Sequence, residues 1–248
     1  MADVLGPIGF GAFLIASLVL GVRLLVLARR TRKLPELAIG LNFLLAGAFG
    51  YALLVAAESL RLLPAPWDGR ASFAGVTAIS LGAALVGLFS RSVFRPESRL
   101  AGVALAALCV WLALGVWGSW VLHVLRDESG LGGWLGRWGP NLGLLAAYGW
   151  SAGEPLHFSV LMRRRLRIGM GDPLIESRMR LWGIGTAAIA AVAAVHLVAQ
   201  LAGRYELPPS LVGVVSLLVL TTALCEWLAF FPPRAWRARF APPAHGPS

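Results

Sequence analysis

The sequence predicts an all-α polytopic membrane protein: seven transmembrane helices in a parallel 3+1+3 repeat, with the N-terminus outside and the C-terminus in the cytoplasm. Three observations carry that prediction. Of 248 residues, 58% are apolar and only 14% charged, with a mean hydropathy of +0.74, whereas soluble domains carry about a quarter charged residues. The apolar residues form continuous runs rather than alternating, as spanning helices require and barrel strands do not. The basic residues gather at or beyond the ends of those runs, Arg23 apart, and most of them fall on one side. A soluble globular enzyme, a nucleic-acid reader and a receptor with its own catalytic output domain are excluded, because seven helices of about 20 residues and their loops use nearly the whole chain.

The runs lie at about 6–28, 37–61, 71–93, 100–124, 141–163, 179–202 and 209–231. The first lacks a preceding basic segment and is expected to stay as a span rather than be cleaved. Breakers separate the others: Pro64, Pro66 and Gly69, then a Gly-rich loop from Gly130 to Pro140, then Pro208 and Pro209. A single membrane domain over 1–232 is expected, followed by a basic, Pro-rich cytoplasmic tail at 233–248. Sixteen Lys and Arg residues cluster after runs 1, 3, 5 and 7, against five on the other side, and this bias sets the orientation. It also accounts for a pI near 11.3 without nucleic acid, since such clusters fix topology and attract anionic headgroups. The inner connection 163–180, with Arg163, Arg164, Arg165 and Arg167, is the longest on that side and offers a docking place for a cytoplasmic protein partner. The two cysteines, Cys109 and Cys225, lie inside apolar runs and indicate neither a disulfide framework nor a zinc site.

The chain also matches itself. Val26, Leu27, Arg29, Arg30 and Lys33 align with Val160, Leu161, Arg163, Arg164 and Arg167. Pro35, Gly47, Ala52 and Ala56 align with Pro173, Gly185, Ala190 and Ala194, and Phe94 and Pro96 with Phe231 and Pro233. Runs 1–3 (about 6–99) then recur as runs 5–7 (about 141–232), and run 4 (about 100–124) restores the orientation. In this 3+1+3 order the chain resembles the SWEET sugar facilitators and the microbial rhodopsins, at the level of architecture. The Pro-Gln dipeptide of the wider PQ-loop relatives is absent. The lone lysine, Lys33, lies in a loop, which excludes a retinal Schiff base on a spanning helix. Similarity to G-protein-coupled receptors extends to helix count and orientation.

Ionisable groups in hydrocarbon are costly, so each one marks a candidate site. At a rise of about 1.5 Å per residue, Arg23, Glu154, His157 and Glu226 share an inner layer roughly 20 to 27 Å below the outer surface. Glu154 and His157 are three residues apart and share a helix face. Glu58, His123 and His196 form an outer layer, in which Glu58 and His196 are repeat equivalents and are expected to face each other across a pseudo-two-fold axis. The competing readings are structural. Arg23 snorkels or pairs with Glu226, and Glu58 and His123 are solvated at the interface. Metal is a further option for Glu154, His157 and Glu226, and haem for His123 and His196, although the second Glu-x-x-His pair of a di-metal site is missing. No cofactor is predicted. The ten tryptophans are expected mostly at headgroup level, and Gly11, Gly21, Gly47, Gly82, Gly87 and Gly185 to allow close helix packing. No Ser-His-Asp order, phosphate loop or HExxH segment is present.

Two roles follow as expectations. The first is a bacterial-type inner-membrane transporter passing a small solute, with or without a coupled proton, between two triple-helix halves. The second is a seven-helix sensor acting through a separate cytoplasmic partner. An intramembrane metal or haem enzyme is the third reading.

Overall fold

In the computed structural model, residues 2–204, 207–233 and 236 are described, with side chains from Ile8 onward except at Pro209. All regular structure among them is helical. Seven helices result: α1 (Ala2–Thr31), α2 (Leu34–Ser59), α3 (Trp67–Phe94), α4 (Arg99–Val124), α5 (Gly130–Arg167), α6 (Pro173–Leu201) and α7 (Pro209–Phe230). Every helix except α5 is long and apolar enough to cross a membrane. The packing is that of a protein bathed in lipid. Large apolar side chains point outward, among them Leu100 at 82% exposure and Val103 at 67%. The interior is rich in Ala, Gly and Ser, which permit close helix approach. The chain is an integral membrane protein.

The helices close a ring. α1 packs on α2, α2 on α3, α3 on α5, α5 on α6, α6 on α7, and α7 back on α1, while α4 lies against α3 and α5. One rim carries the helix ends at Ser59, Val124 and Leu201 and is called the Glu58 end; the opposite, basic end carries Thr31, Phe94 and Arg167. The basic residues Arg234, Arg237 and Arg239 and nearly all of the predicted tail lie outside the described residues.

α5 departs most from the expectation. Its 38 residues absorb Gly130 to Pro140, read from the sequence as a loop. Glycine is a poor helix former, but here the backbones of α4 and α5 touch: a Cβ on Gly136 would stand 2.3 Å from the Gly118 carbonyl oxygen, and one on Gly139 would stand 2.8 Å from the Gly115 Cα. Packing therefore overrides propensity. Pro155, fully buried, removes the N–H that would serve the Ser151 carbonyl, and the Thr186 hydroxyl stands 3.4 Å from that oxygen. Side chains of neighbouring helices commonly relieve intramembrane prolines this way. α5 is less apolar than its neighbours because it is packed between α3, α4 and α6.

At the basic end α5 continues through Arg163, Arg164, Arg165 and Arg167, so these residues occupy helical turns and not a loop. The connection to α6 shrinks to residues 168–172, because cations suit a helix C-terminus and Asp172 caps α6 by accepting from Leu174 N at 2.8 Å and Ile175 N at 3.2 Å. Arg163 donates to the buried Glu176 at 2.6 Å and pins the turn. Trp182 also departs from the belt expectation: it is 4% exposed and sits in the core.

Candidate functional site

Three helix faces aim at the ring's interior from the Glu58 end. On α2, Tyr51, Leu54 and Glu58 recur at helical spacing; on α6, Ile189, Val192, Ala193, His196 and Gln200 do; on α5, Arg137, Asn141, Leu144 and Tyr148 do. Together with Phe13, Val76, Leu122, His123 and Val219 they line one cavity of about 680 Å³ to which all seven helices contribute. The volume is in the range of small-molecule sites. Glu58, His123 and His196 all border it.

The backbone carrying two of these groups is unusual. Val55–Ser59 and Trp120–Val124 are wide turns with i→i+5 hydrogen bonds, closed by Leu60 N to Val55 O at 2.8 Å and Leu125 N to Trp120 O at 3.2 Å. Glu58 lies in the first and His123 in the second. Such turns are rare and collect at functional sites. A third covers Phe43–Gly50 of α2.

The cavity rim carries fixed charge pairs. Arg126 donates to both carboxylate oxygens of Asp68, at 2.8 and 2.9 Å, and Arg137 donates to Glu128 at 3.0 Å. His123 lies within electrostatic reach of Glu58, Arg126 and Asp68. His196 Nδ1 is 2.9 Å from the Val192 carbonyl; a carbonyl only accepts, so Nδ1 donates, and in the neutral tautomer with that donor Nε2 is an acceptor.

Below the cavity buried side chains pack across the ring. Tyr148 donates to Asn42 Oδ1 at 2.9 Å, joining α5 to α2 with both residues buried. Phe43 meets Trp182 and Phe230 edge-on at centroid distances of 6.2 and 6.0 Å, and Trp182 meets Phe89 at 5.7 Å. Beyond these rings lies a second cavity of about 230 Å³, lined by Phe89, Phe94, Arg178, Met179, Trp182 and Phe230 among others. Along α6 from the Glu58 end to the basic end, the large cavity, the aromatic contacts of Trp182 and the small cavity follow one another.

Comparison with protein-family models, curated proteins and solved structures gives no match.

The predicted inner group occupies four different environments. Arg23 lays its guanidinium 4.0 Å from the centroid of the Phe231 ring. Glu154 accepts from Arg95 Nε at 3.0 Å and from Trp150 Nε1 at 3.3 Å. His157, one turn on, is exposed. Glu226 is 4% exposed, packed against Gly185, and no hydrogen bond or ion pair engages its carboxylate among the described residues. It lies on α7 between Val219 of the large cavity and Phe230 of the small one. Among the described residues no three His, Cys, Asp or Glu side chains are grouped as metal ligands would be.

Sequence reasoning missed Tyr51, Asn141, Tyr148 and Gln200, which border the cavity, and the Asn42–Tyr148 bond. The helical spacing of Tyr51 with Glu58, and of His196 with Gln200, was the available signal; the contact of Tyr148 with Asn42 spans 106 residues and left none.

Proposed function

We propose that this chain transports a small solute across a membrane, binding it in the large cavity and releasing it through the aromatic layer to the basic end. The observation that carries the reading is the single cavity built by all seven helices, with Glu58 and His196 on its lining. The second cavity beyond the aromatic contacts supports it, since a transporter needs a path that continues beyond its binding site. The ring order supports a two-fold relation of the halves: α3 meets α5 as α7 meets α1. The matching segments also fall at like places, on the last turns of α1 and α5 and the first turns of α2 and α6. Parallel-repeat transporters bind at such seams. In this reading the Glu58 end faces outward and the basic end the cytoplasm, as the positive-inside rule requires.

Glu226 lies between the two cavities and takes up and releases a coupled proton. The test is two-sided labelling of L54C, a cavity position, in a background with Cys109 and Cys225 replaced by Ser. A transporter exposes Leu54→Cys to impermeant maleimide from both faces of oriented vesicles; labelling from the Glu58 end alone refutes transport. For the coupling, E226Q should abolish proton-driven uptake in liposomes while the protein stays folded, and unchanged uptake removes Glu226 from the mechanism.

A second reading, a sensor with a separate cytoplasmic partner, is favoured by the braced basic end, where Arg163 and Glu176 fix the α5–α6 turn and Arg178 donates to the Ala229 carbonyl at 2.7 Å. One-sided labelling of Leu54→Cys, with a partner that is lost on replacing Arg163, Arg164 and Arg165 by Ala, selects it.

A further inference from the structure

The charged side chains of the large cavity do not balance, and the imbalance has a sign. Its cations are engaged: Arg126 is held by both oxygens of Asp68, and Arg137 by Glu128. Three of its acceptors are not. Glu58 has no hydrogen bond or ion pair among the described residues. His196 spends its Nδ1 proton on Val192, which in the neutral tautomer leaves Nε2 as an acceptor. Gln200, one turn further along α6, donates from Nε2 to the Arg137 carbonyl at 3.3 Å, and its Oε1 is buried with no partner. A flipped amide would set oxygen against a carbonyl, so this orientation is fixed by the neighbour. A buried acceptor left without a donor costs free energy until something supplies one. Deeper in, the walls are apolar and aromatic: Phe13 meets Tyr51 edge-on at 5.5 Å, with Leu54, Val76 and Ile189 nearby.

From this lining we infer that the solute is an organic cation rich in N–H donors, a primary ammonium or guanidinium on an apolar body. Its charged head lies among Glu58, His196 Nε2 and Gln200 Oε1, and its body lies against Phe13 and Tyr51. The inference rests on the large cavity being the binding site, and it adds the chemical class of what binds there. An anion finds both arginines already held by carboxylates, and a neutral apolar molecule leaves the Gln200 oxygen unserved.

A matched set of probes tests it: 4-phenylbutylammonium, 4-phenylbutanol and 4-phenylbutanoate, titrated against the full chain in phosphatidylcholine nanodiscs with empty nanodiscs as the control. The ammonium should bind at least about ten-fold more tightly than the alcohol, the gain expected of charge-assisted hydrogen bonds. E58Q and Q200L should each lower affinity for the ammonium more than for the alcohol, and so reduce that preference. Glu58 is exposed, so E58Q should fold, and an unshifted thermal transition checks that it does. Equal binding of all three probes, or tightest binding of the carboxylate, overturns the cation assignment and leaves the cavity standing as a binding site. Absence of binding by every probe overturns both.

Discussion

The hydrogen bond from Tyr148 to Asn42 joins α5 to α2 below the large cavity, and Y148F removes it with little change of shape. Both residues are buried, at 6% and 5% exposure, and the bond is 2.9 Å long. Side-chain hydrogen bonds between membrane helices contribute about 0.6 kcal/mol on average and at most about 1.7. If the bond exists only while the floor is closed, its loss raises the population open at the basic end about 3- to 18-fold. Ser151 reports that opening: it is fully buried on α5 one turn below Tyr148, and Ser151→Cys is nearly isosteric. In the background lacking the native cysteines, labelling of Ser151→Cys from the basic face should accelerate by that factor in Y148F. Asn42→Ala should have the same effect, and the double variant should go no further than either single one. An unchanged rate, or two effects that simply multiply, would show that the bond is not a latch.

Other consequences follow from the packing and the caps. Gly136→Ala forces a methyl to 2.3 Å from the Gly118 carbonyl and should cost about 1–3 kcal/mol, read as a lowered thermal transition in detergent. Gly149→Ala on the same helix has nothing within 4 Å and should be neutral or stabilise by up to about 1 kcal/mol. Asp172→Ala removes the α6 cap and should cost about 1 kcal/mol, seen as faster hydrogen exchange over the first turn of α6. Asp127 accepts from the Ser129 hydroxyl at 2.6 Å and the Ser129 N–H at 2.8 Å, which hold its carboxyl below the usual range. The lowered value means that this turn is held at pH above the ordinary aspartate range and loosens as pH falls through the Asp127 value. Ser129→Ala should return its titration toward about 3.9 by carboxyl carbon shift.

The sequence made the membrane class and the helix count legible because lipid imposes both through long apolar runs. It misplaced the start of α5, since Gly130 to Pro140 reads as loop by propensity and becomes helix through the Gly115 and Gly118 face of α4. The same limit hid the extension of α5 to Arg167. Glu58, His123 and His196 were singled out by the rarity of such groups in apolar runs, and they border one cavity. The spacing argument for Glu154 and His157 placed them on one face but could not say where that face points. Arg95, at the start of the α3–α4 connection, reaches Glu154 across 59 residues, a contact that periodicity does not encode. The wide turns that carry Glu58 and His123 have no residue signature in the chain.

Water access along α6 tests the account most directly. Single cysteines at Ile189, Ala193, His196 and Gln200 should react with a membrane-impermeant maleimide applied from the Glu58 end, and cysteines at the outward-facing Ile184 and Val198 should not. Reactivity that follows the helical repeat would show one hydrated chamber inside the ring. Reactivity at the outward positions, or at none of the four inward ones, would contradict it.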